Sequence, residues 1–277
     1  MENIMKTRQE KLEAFGRILD ILDELRVKCP WDRKQTTQSL RPQTIEEVYE
    51  LSDAILKDDG RNISKELGDV LLHVLFYAKI GEEKGEYDIA DVINLLCDKL
   101  IYRHPHVFSN ARVADAEEVM RNWEMLKTRE KDGNKRILSG VPDALPPLLK
   151  AYRMQDKARG VGFDWEEKSQ VWDKVKEEMC EYQSELDGID AAGDDERMRK
   201  AAFDRAEAEL GDFLFAVVNA ARLYGLNPDT ALERTCAKFK RRFTYLEEHT
   251  IRQGRNLQDM TLAEMDAIWD EAKAKGL

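Results

Sequence analysis

Four cysteines, Cys29, Cys97, Cys180 and Cys236, are spread along the chain with no CxxC pair among them. Zinc-type spacing is therefore missing, and a disulfide framework is not expected in a chain of 277 residues. Proline (7) and glycine (15) are scarce and aromatics make up 8% of the chain, against 42% hydrophobic and 36% charged residues. That is the profile of a soluble, helix-rich protein. A basic excess is also missing: the formal charge is −11. Phosphate backbones require a basic face, so no nucleic-acid partner is expected. No apolar run reaches the roughly 18 residues of a membrane span, and the start, MENIMKTRQEKLEAFG, lacks the apolar core of a signal peptide. No membrane association and a reducing cytoplasm are the expectations.

An acidic pattern is present, and it occurs twice. EEVYE (46–50) is followed by Glu66-Leu-Gly-Asp69, and EEMCE (177–181) by Glu209-Leu-Gly-Asp212. On a helix, positions i and i+4, or i+1 and i+4, share a face. Glu46, Glu47 and Glu50 can thus converge, as can Glu66 and Asp69 one turn apart. In the second copy Glu177, Glu178 and Glu181 match the first three, and Glu209 and Asp212 the last two. Two such helices packed antiparallel would bring five carboxylates together, and these repel unless a cation sits among them. An oxygen-only donor set favours Mg²⁺, with Mn²⁺ as a substitute, over zinc. Di-iron bundles want Glu-x-x-His, whereas here the second motif ends in Asp. Acidic runs are usually solvated helix faces. Two features argue otherwise: Glu66 and Asp69 interrupt an apolar segment, where unpaired acids are costly, and the arrangement recurs. Gly68 and Gly211, beside these acids, suggest a close approach of helices.

Helical spacing runs over 8–27 through Leu12, Phe15, Ile18, Leu19, Leu22 and Leu25. A loop is expected from Cys29 to Pro42, with Thr44 as N-cap of the helix bearing EExxE and Asp58-Asp59-Gly60 ending it. Apolar helices follow over about 63–80 and 90–102. Residues 131–150, rich in Gly and Pro, read as a linker. The order of events then repeats: Phe163-Asp164-Trp165 stands where Pro30-Trp31-Asp32 stood, and helices are expected over 168–187, 203–224 and after Pro228. Residues 188–199 read as a polar, flexible insertion. The offset is 131 from Glu46 to Glu177, 143 from Glu66 to Glu209 and 139 from Lys99 to Lys238. Offsets that drift only at loops mark a duplication. The chain is expected to be all-α, with tandem helical units at 1–130 and 151–277.

Lys99 and Arg103 lie one turn apart, as do Lys238 and Arg242. Trp123 with Lys127, and Trp269 with Lys273, repeat that spacing. Cations at i and i+4 can hold a phosphate tail, and a nearby Trp can stack on a base or pack apolar surface. GxxxxGK[ST] and GxGxxG are both missing, so a nucleotide would be held by metal and side chains.

The ordered combination resembles the MazG family of the all-α NTP pyrophosphatase superfamily. Carrying it are CPWDRKQT (29–36), SLRPQTIEEVYEL (39–51), GDVLLHVLF (68–76), RHPHVF (103–108), KARGVGFDW (157–165) and ELGDFLFAVVNAAR (209–222). The resemblance implies helical bundles completed by dimerisation and Mg²⁺-dependent hydrolysis of nucleoside triphosphates to monophosphate and pyrophosphate. It makes Glu177, Glu178, Glu181, Glu209 and Asp212 the metal ligands of the second copy, and Glu46, Glu47, Glu50, Glu66 and Asp69 those of the first. Lys238, Arg242, Trp269 and Lys273 match nucleotide-contacting positions, and Lys99 and Arg103 repeat two of them. Glu178 and Glu47 are the candidates for taking the proton of an attacking water. Broad base specificity is the leading expectation. The alternatives are a non-catalytic metal- and nucleotide-binding scaffold, and a narrower dUTP or phosphoribosyl-nucleotide pyrophosphohydrolase.

Overall fold

A computed structural model describes residues 5–277, apart from 111, 116–117, 120–121, 124–125 and 127–135. Among the described residues there are helices and no strands. The chain divides into two compact units, Met1–Arg112 and Val113–Leu277.

In the first unit, α1 (Arg8–Lys28) opens on a Thr7–Glu10 capping box. A 3₁₀ turn (Asp32–Lys34) leads to α2 (Thr37–Leu56). α3 (Gly60–Lys84), capped by Asp59, folds back on α2 as a helical hairpin, and α4 (Ile89–Arg103) and the short α5 (Pro105–Phe108) follow. Leu22 of α1, Leu40 of α2 and Leu75, Phe76 and Ile80 of α3 form the core. Gly81 lets the chain turn back here: a Cβ on it would lie 2.6 Å from the Tyr87 ring and 2.8 Å from the Tyr87 carbonyl.

The expected start of α2 is corrected. Thr36, not Thr44, is the N-cap, in a reciprocal box with Ser39, and Pro42 lies inside the helix. An interior proline removes one backbone hydrogen bond. The cap and the burial of Leu40, 1% exposed in the first turn, outweigh that loss. Thr44 instead hydrogen-bonds the Leu40 carbonyl at 3.0 Å and the His73 ring at 2.9 Å.

In the second unit, a 3₁₀ turn (Ile137–Gly140) precedes α6 (Pro147–Arg159), which begins within the stretch that reads as a linker. α7 (Lys168–Ala191) and α8 (Glu196–Leu223) form the long hairpin, and α6 packs on α8. Val171 and Val175 of α7 meet Ala216 and Ala220 of α8 in its core. α9 (Pro228–Arg252) and α10 (Leu262–Ala274) pair over Leu246, Met260 and Ile268.

The segment 188–199 is not the flexible loop its polarity suggested. α7 continues to Ala191 and α8 begins at Glu196, so the insertion lengthens both arms of the hairpin. Asp195 caps α8 by accepting from the Arg197 and Met198 amides, each at 3.0 Å. Arg205 bridges the arms to Glu185 at 2.8 Å.

The two units repeat one design: a helix carrying EExxE packed in a hairpin against a helix carrying ExxD. Among the described residues, no helix is long and apolar enough to cross a membrane.

Candidate metal and nucleotide site

Each hairpin turns one carboxylate of α2 or α7 toward two on the facing helix. In the first unit an oxygen of Glu47, one of Glu66 and one of Asp69 all lie within 4.8 Å of one another. In the second unit Glu178, Glu209 and Asp212 do the same. These are three of the five expected acids in each copy, and they are the same three positions. Glu46, Glu50, Glu177 and Glu181 are exposed. Glu46 and Glu50 line, with Glu66 and Tyr49, an open groove of about 530 Å³.

The acids are held under strain of charge. Glu66 is only 6% exposed. Its Oε1 accepts from Lys65 at 2.9 Å, and its Oε2 has no hydrogen-bond partner. Burial, then the charges of Asp69, Glu50 and Glu66, push the Glu47 carboxyl above its ordinary range. Burial, then Glu181, Asp212 and Glu178, do the same to Glu209. A lysine answers part of this charge in each unit. Lys65 lies 3.6 Å from Asp69 as well as on Glu66. Lys174 reaches Glu178 at 2.7 Å and Glu177 at 2.9 Å, and its hydrogen bond to Glu178, then that to Glu177, raise the ammonium pKa well above normal. The two lysines do not correspond: at the same offsets Lys65 matches Ala208 and Lys174 matches Gln43. Each copy has thus placed the cation that balances its acids on a different helix of the hairpin.

Gly68 and Gly211 are corrected here. A Cβ at either would meet nothing within 4 Å, so neither glycine serves a close helix approach within its unit. Both are exposed, on helices that also leave Leu67 and Leu71, or Leu214 and Phe215, exposed.

The second unit opens a cleft of about 610 Å³ beside its acids. Lys174, Glu178 and Asp212 line it together with Phe163, Trp165 and Phe215. Asp164, from the turn before α7, is held by Arg222 of α8 at 2.5 Å, and Arg222 also donates to Asn219. Sequence reading passed over Gln155, Asn219 and Arg222. The available signal was the polar pair Asn219-x-x-Arg222, one turn apart on an apolar stretch of α8. In the first unit the positions of Ala216, Asn219 and Arg222 carry His73, Phe76 and Lys79. Phe76 there is 3% exposed and fills the core, while Lys79 pairs with Asp23 at 2.6 Å.

The remaining expected contacts gather elsewhere in the second unit. Arg242 of α9 sits over the Trp269 ring of α10 at 5.9 Å and donates to the Leu277 carbonyl at 2.7 Å. Phe239 packs on Trp269 with centroids 5.1 Å apart. Lys273 bridges to Asp270 at 2.8 Å, and Lys238 is exposed one turn before Arg242. Within one chain none of the observed hydrogen bonds or ion pairs joins these four residues to the acidic triad. In the first unit Lys99 is exposed on α4 and Arg103 half-buried in its last turn. Lys127 lies outside the described residues.

The MazG nucleotide pyrophosphohydrolase domain matches this chain twice, over residues 35–108 and 166–246. The chain belongs to the MazG family. Both matched segments contain a complete carboxylate triad. The second ends before Trp269 and begins after Gln155, Phe163 and Trp165, so part of the cleft lies outside it. The chain is 38% identical over 269 residues to a nucleoside triphosphate pyrophosphohydrolase of Escherichia coli, covering 95% of this chain and 98% of that protein. It is 37% identical over 262 residues to the nucleoside triphosphate pyrophosphohydrolase/pyrophosphatase MazG of Thermotoga maritima, covering 94% and 95%. Similarity extends to the uncharacterized protein YabN of Bacillus subtilis, 46% identical over 271 residues, 53% of that protein's length.

Proposed function

We propose that this chain hydrolyses ribo- and deoxynucleoside triphosphates of all bases to the monophosphate and pyrophosphate, with Mg²⁺ as cofactor and Mn²⁺ as a substitute. The observation that carries this reading is the continuity of a carboxylate triad, a lysine and an aromatic-walled cleft in the second unit. A triphosphate tail would meet the charged end and a nucleoside the aromatic end.

A hard divalent cation fits these donors. They are oxygen-only, they crowd within 4.8 Å, and in the first unit a buried carboxylate oxygen is left without a partner. Glu178, Glu209 and Asp212 would hold the ion in the second unit, and Glu47, Glu66 and Asp69 in the first. When bound, such an ion neutralises phosphate charge and lowers the pKa of a water. Lys174 sits where it can turn from the carboxylates to the phosphates as negative charge develops there. Glu178 accepts the water proton in the second unit, and Glu47, whose raised pKa suits a base, is its match in the first. Lys238, Arg242 and Lys273 would hold phosphate, with Trp269 packed beside Arg242. They reach a triad when a second copy packs alongside. Apolar residues left exposed on α9 (Leu232, Phe239 and Phe243) and on α4 (Leu95, Leu96 and Ile101) support such a homodimer. General triphosphate hydrolysis belongs to the second unit, where the aromatic-walled cleft adjoins the triad. The cytoplasm, where Mg²⁺ and nucleotides meet, is the compartment this reading requires.

The test is chromatography of products after incubation with Mg²⁺ and a panel of nucleoside triphosphates. Monophosphate with pyrophosphate is expected, whereas diphosphate with phosphate would overturn the cleavage position. Glu178→Gln and Asp212→Asn should each lower turnover by about a hundredfold or more with the helical circular dichroism intact. Wild-type turnover in both would remove the second unit's site from consideration.

A further inference from the structure

The cleft of the second unit contains two buried polar atoms that the chain leaves unanswered. Gln155 of α6 is 7% exposed and Arg222 of α8 is 4% exposed. Gln155 Nε2 donates to the Phe215 carbonyl at 2.8 Å, which fixes the amide and leaves Oε1 as a bare acceptor. Arg222 spends Nε and Nη2 on Asn219 and Asp164 and leaves Nη1 as a bare donor. Both residues line the cleft, as do Phe163 and Trp165. A native interior rarely leaves such atoms unpaired, since each unpaired group in a low-dielectric wall is costly. Their ligand must offer a donor and an acceptor together on an edge flat enough to lie against aromatic rings.

We infer that this cleft is the pocket for the heterocyclic base, and that Gln155 Oε1 and Arg222 Nη1 rank bases by their hydrogen-bonding edge. The inference rests on the nucleotide reading above and adds the residues that discriminate. A cationic N–H favours a carbonyl oxygen, as in the common pairing of arginine with guanine. A fixed amide carbonyl takes the ring N–H beside it. Guanine and uracil present that edge, C=O next to N–H. The paired use of a glutamine amide that reads adenine is closed here, because Nε2 is already given to Phe215. Adenine and cytosine present the amino donor and the ring-nitrogen acceptor in the opposite order along that edge, so in the same seat they leave Gln155 Oε1 unpaired and are accepted less well. The first unit has no such pair: Phe76 and Lys79 stand where Asn219 and Arg222 do, and Lys79 is engaged by Asp23 and Glu82.

The experiment uses the full chain. It measures kcat/KM for GTP, UTP, ATP and CTP, and calorimetric binding of GMP and AMP, in wild type and in Gln155→Met. GTP and UTP should exceed ATP and CTP by about tenfold, the scale of one hydrogen bond to a site left unpaired by the wrong base. Gln155→Met, similar in shape but without the acceptor, should bring that ratio near one. Four equal values in wild type, a reversed ranking, or a ratio unchanged in Gln155→Met would overturn the inference while leaving triphosphate hydrolysis standing. If no triphosphate is cleaved, tighter binding of GMP than AMP that disappears in Gln155→Met supports the pocket although the hydrolytic reading has failed. Failure of GMP and AMP to bind, or equal binding, overturns the pocket itself.

Discussion

Replacing Glu66 by glutamine should stabilise the metal-free protein and at the same time remove its response to metal. Glu66 is buried with one oxygen unpartnered, and its charge lies within 4.8 Å of those of Glu47 and Asp69. Glutamine keeps the length and keeps an acceptor for Lys65. Its amide N–H₂ replaces the orphaned oxygen with a donor, and two carboxylates are within reach. Relieving one unsatisfied buried acceptor is worth about 1–2 kcal/mol. The Lys65 ion pair contributes little to the balance, because Lys65 is 63% exposed and well screened. For a unit of this size that corresponds to a rise in melting temperature of roughly 4–8 °C per kcal/mol. Wild type, by contrast, should gain about 2.7 kcal/mol when Mg²⁺ is raised to a hundred times its dissociation constant, and the variant should lose the first unit's share. Differential scanning calorimetry with EDTA, then with Mg²⁺, separates the two effects. The reasoning is refuted if Glu66→Gln lowers the melting temperature in EDTA while leaving the Mg²⁺ increment intact. That result would mean the carboxylate is a structural ion-pair partner of Lys65 and no part of a cation site.

Gly81→Ala should destabilise the first unit by about 1–3 kcal/mol, since the new methyl meets both the ring and the carbonyl of Tyr87. Urea unfolding of the variant reads this directly, and an unchanged midpoint would show that the turn into α4 yields freely. Glu264 is held down to about 2 by the Thr261 amide first, then by Arg255 and the Thr261 hydroxyl. A carboxyl whose folded pKa is depressed stabilises above its unfolded pKa near 4.5 and stops doing so as pH falls through about 2. The melting-temperature gap between wild type and Glu264→Gln should therefore be full at pH 7 and shrink between pH 4.5 and pH 2. A gap that does not change with pH would place the stabilisation elsewhere.

Much of the architecture was legible before any coordinates. The 3.6-residue spacing of Leu12 to Leu25 set α1, and the doubled EExxE and ExxD strings showed that one hairpin had been used twice. Spacing along a helix fixes which residues share a face, so Glu47 with Glu50, and Glu66 with Asp69, could be placed together from the sequence alone. Spacing cannot fix how two helices are rotated and slid against each other. That is why the structure gathers Glu47, Glu66 and Asp69 and leaves Glu46 and Glu50 at the rim. The start of α2 was missed for a similar reason: burial of Leu40 under α1 and α3 overrode the local signal of Pro42. In 188–199, polar composition was read as flexibility, when its helix formers and the Asp195 cap extend the hairpin. Lys65 and Lys174 pair with acids of their own helices, one to four residues away, so helical spacing already held those contacts although they were passed over. The sequence determined the repeat, the helical class and the carboxylates. Tertiary structure decided which acids meet, and why the space beside them differs: at equivalent helical positions Asn219 lines the aromatic-walled cleft of the second unit, whereas Phe76 is packed into the core of the first, because the neighbours of a helical position, not the position itself, determine what its side chain meets.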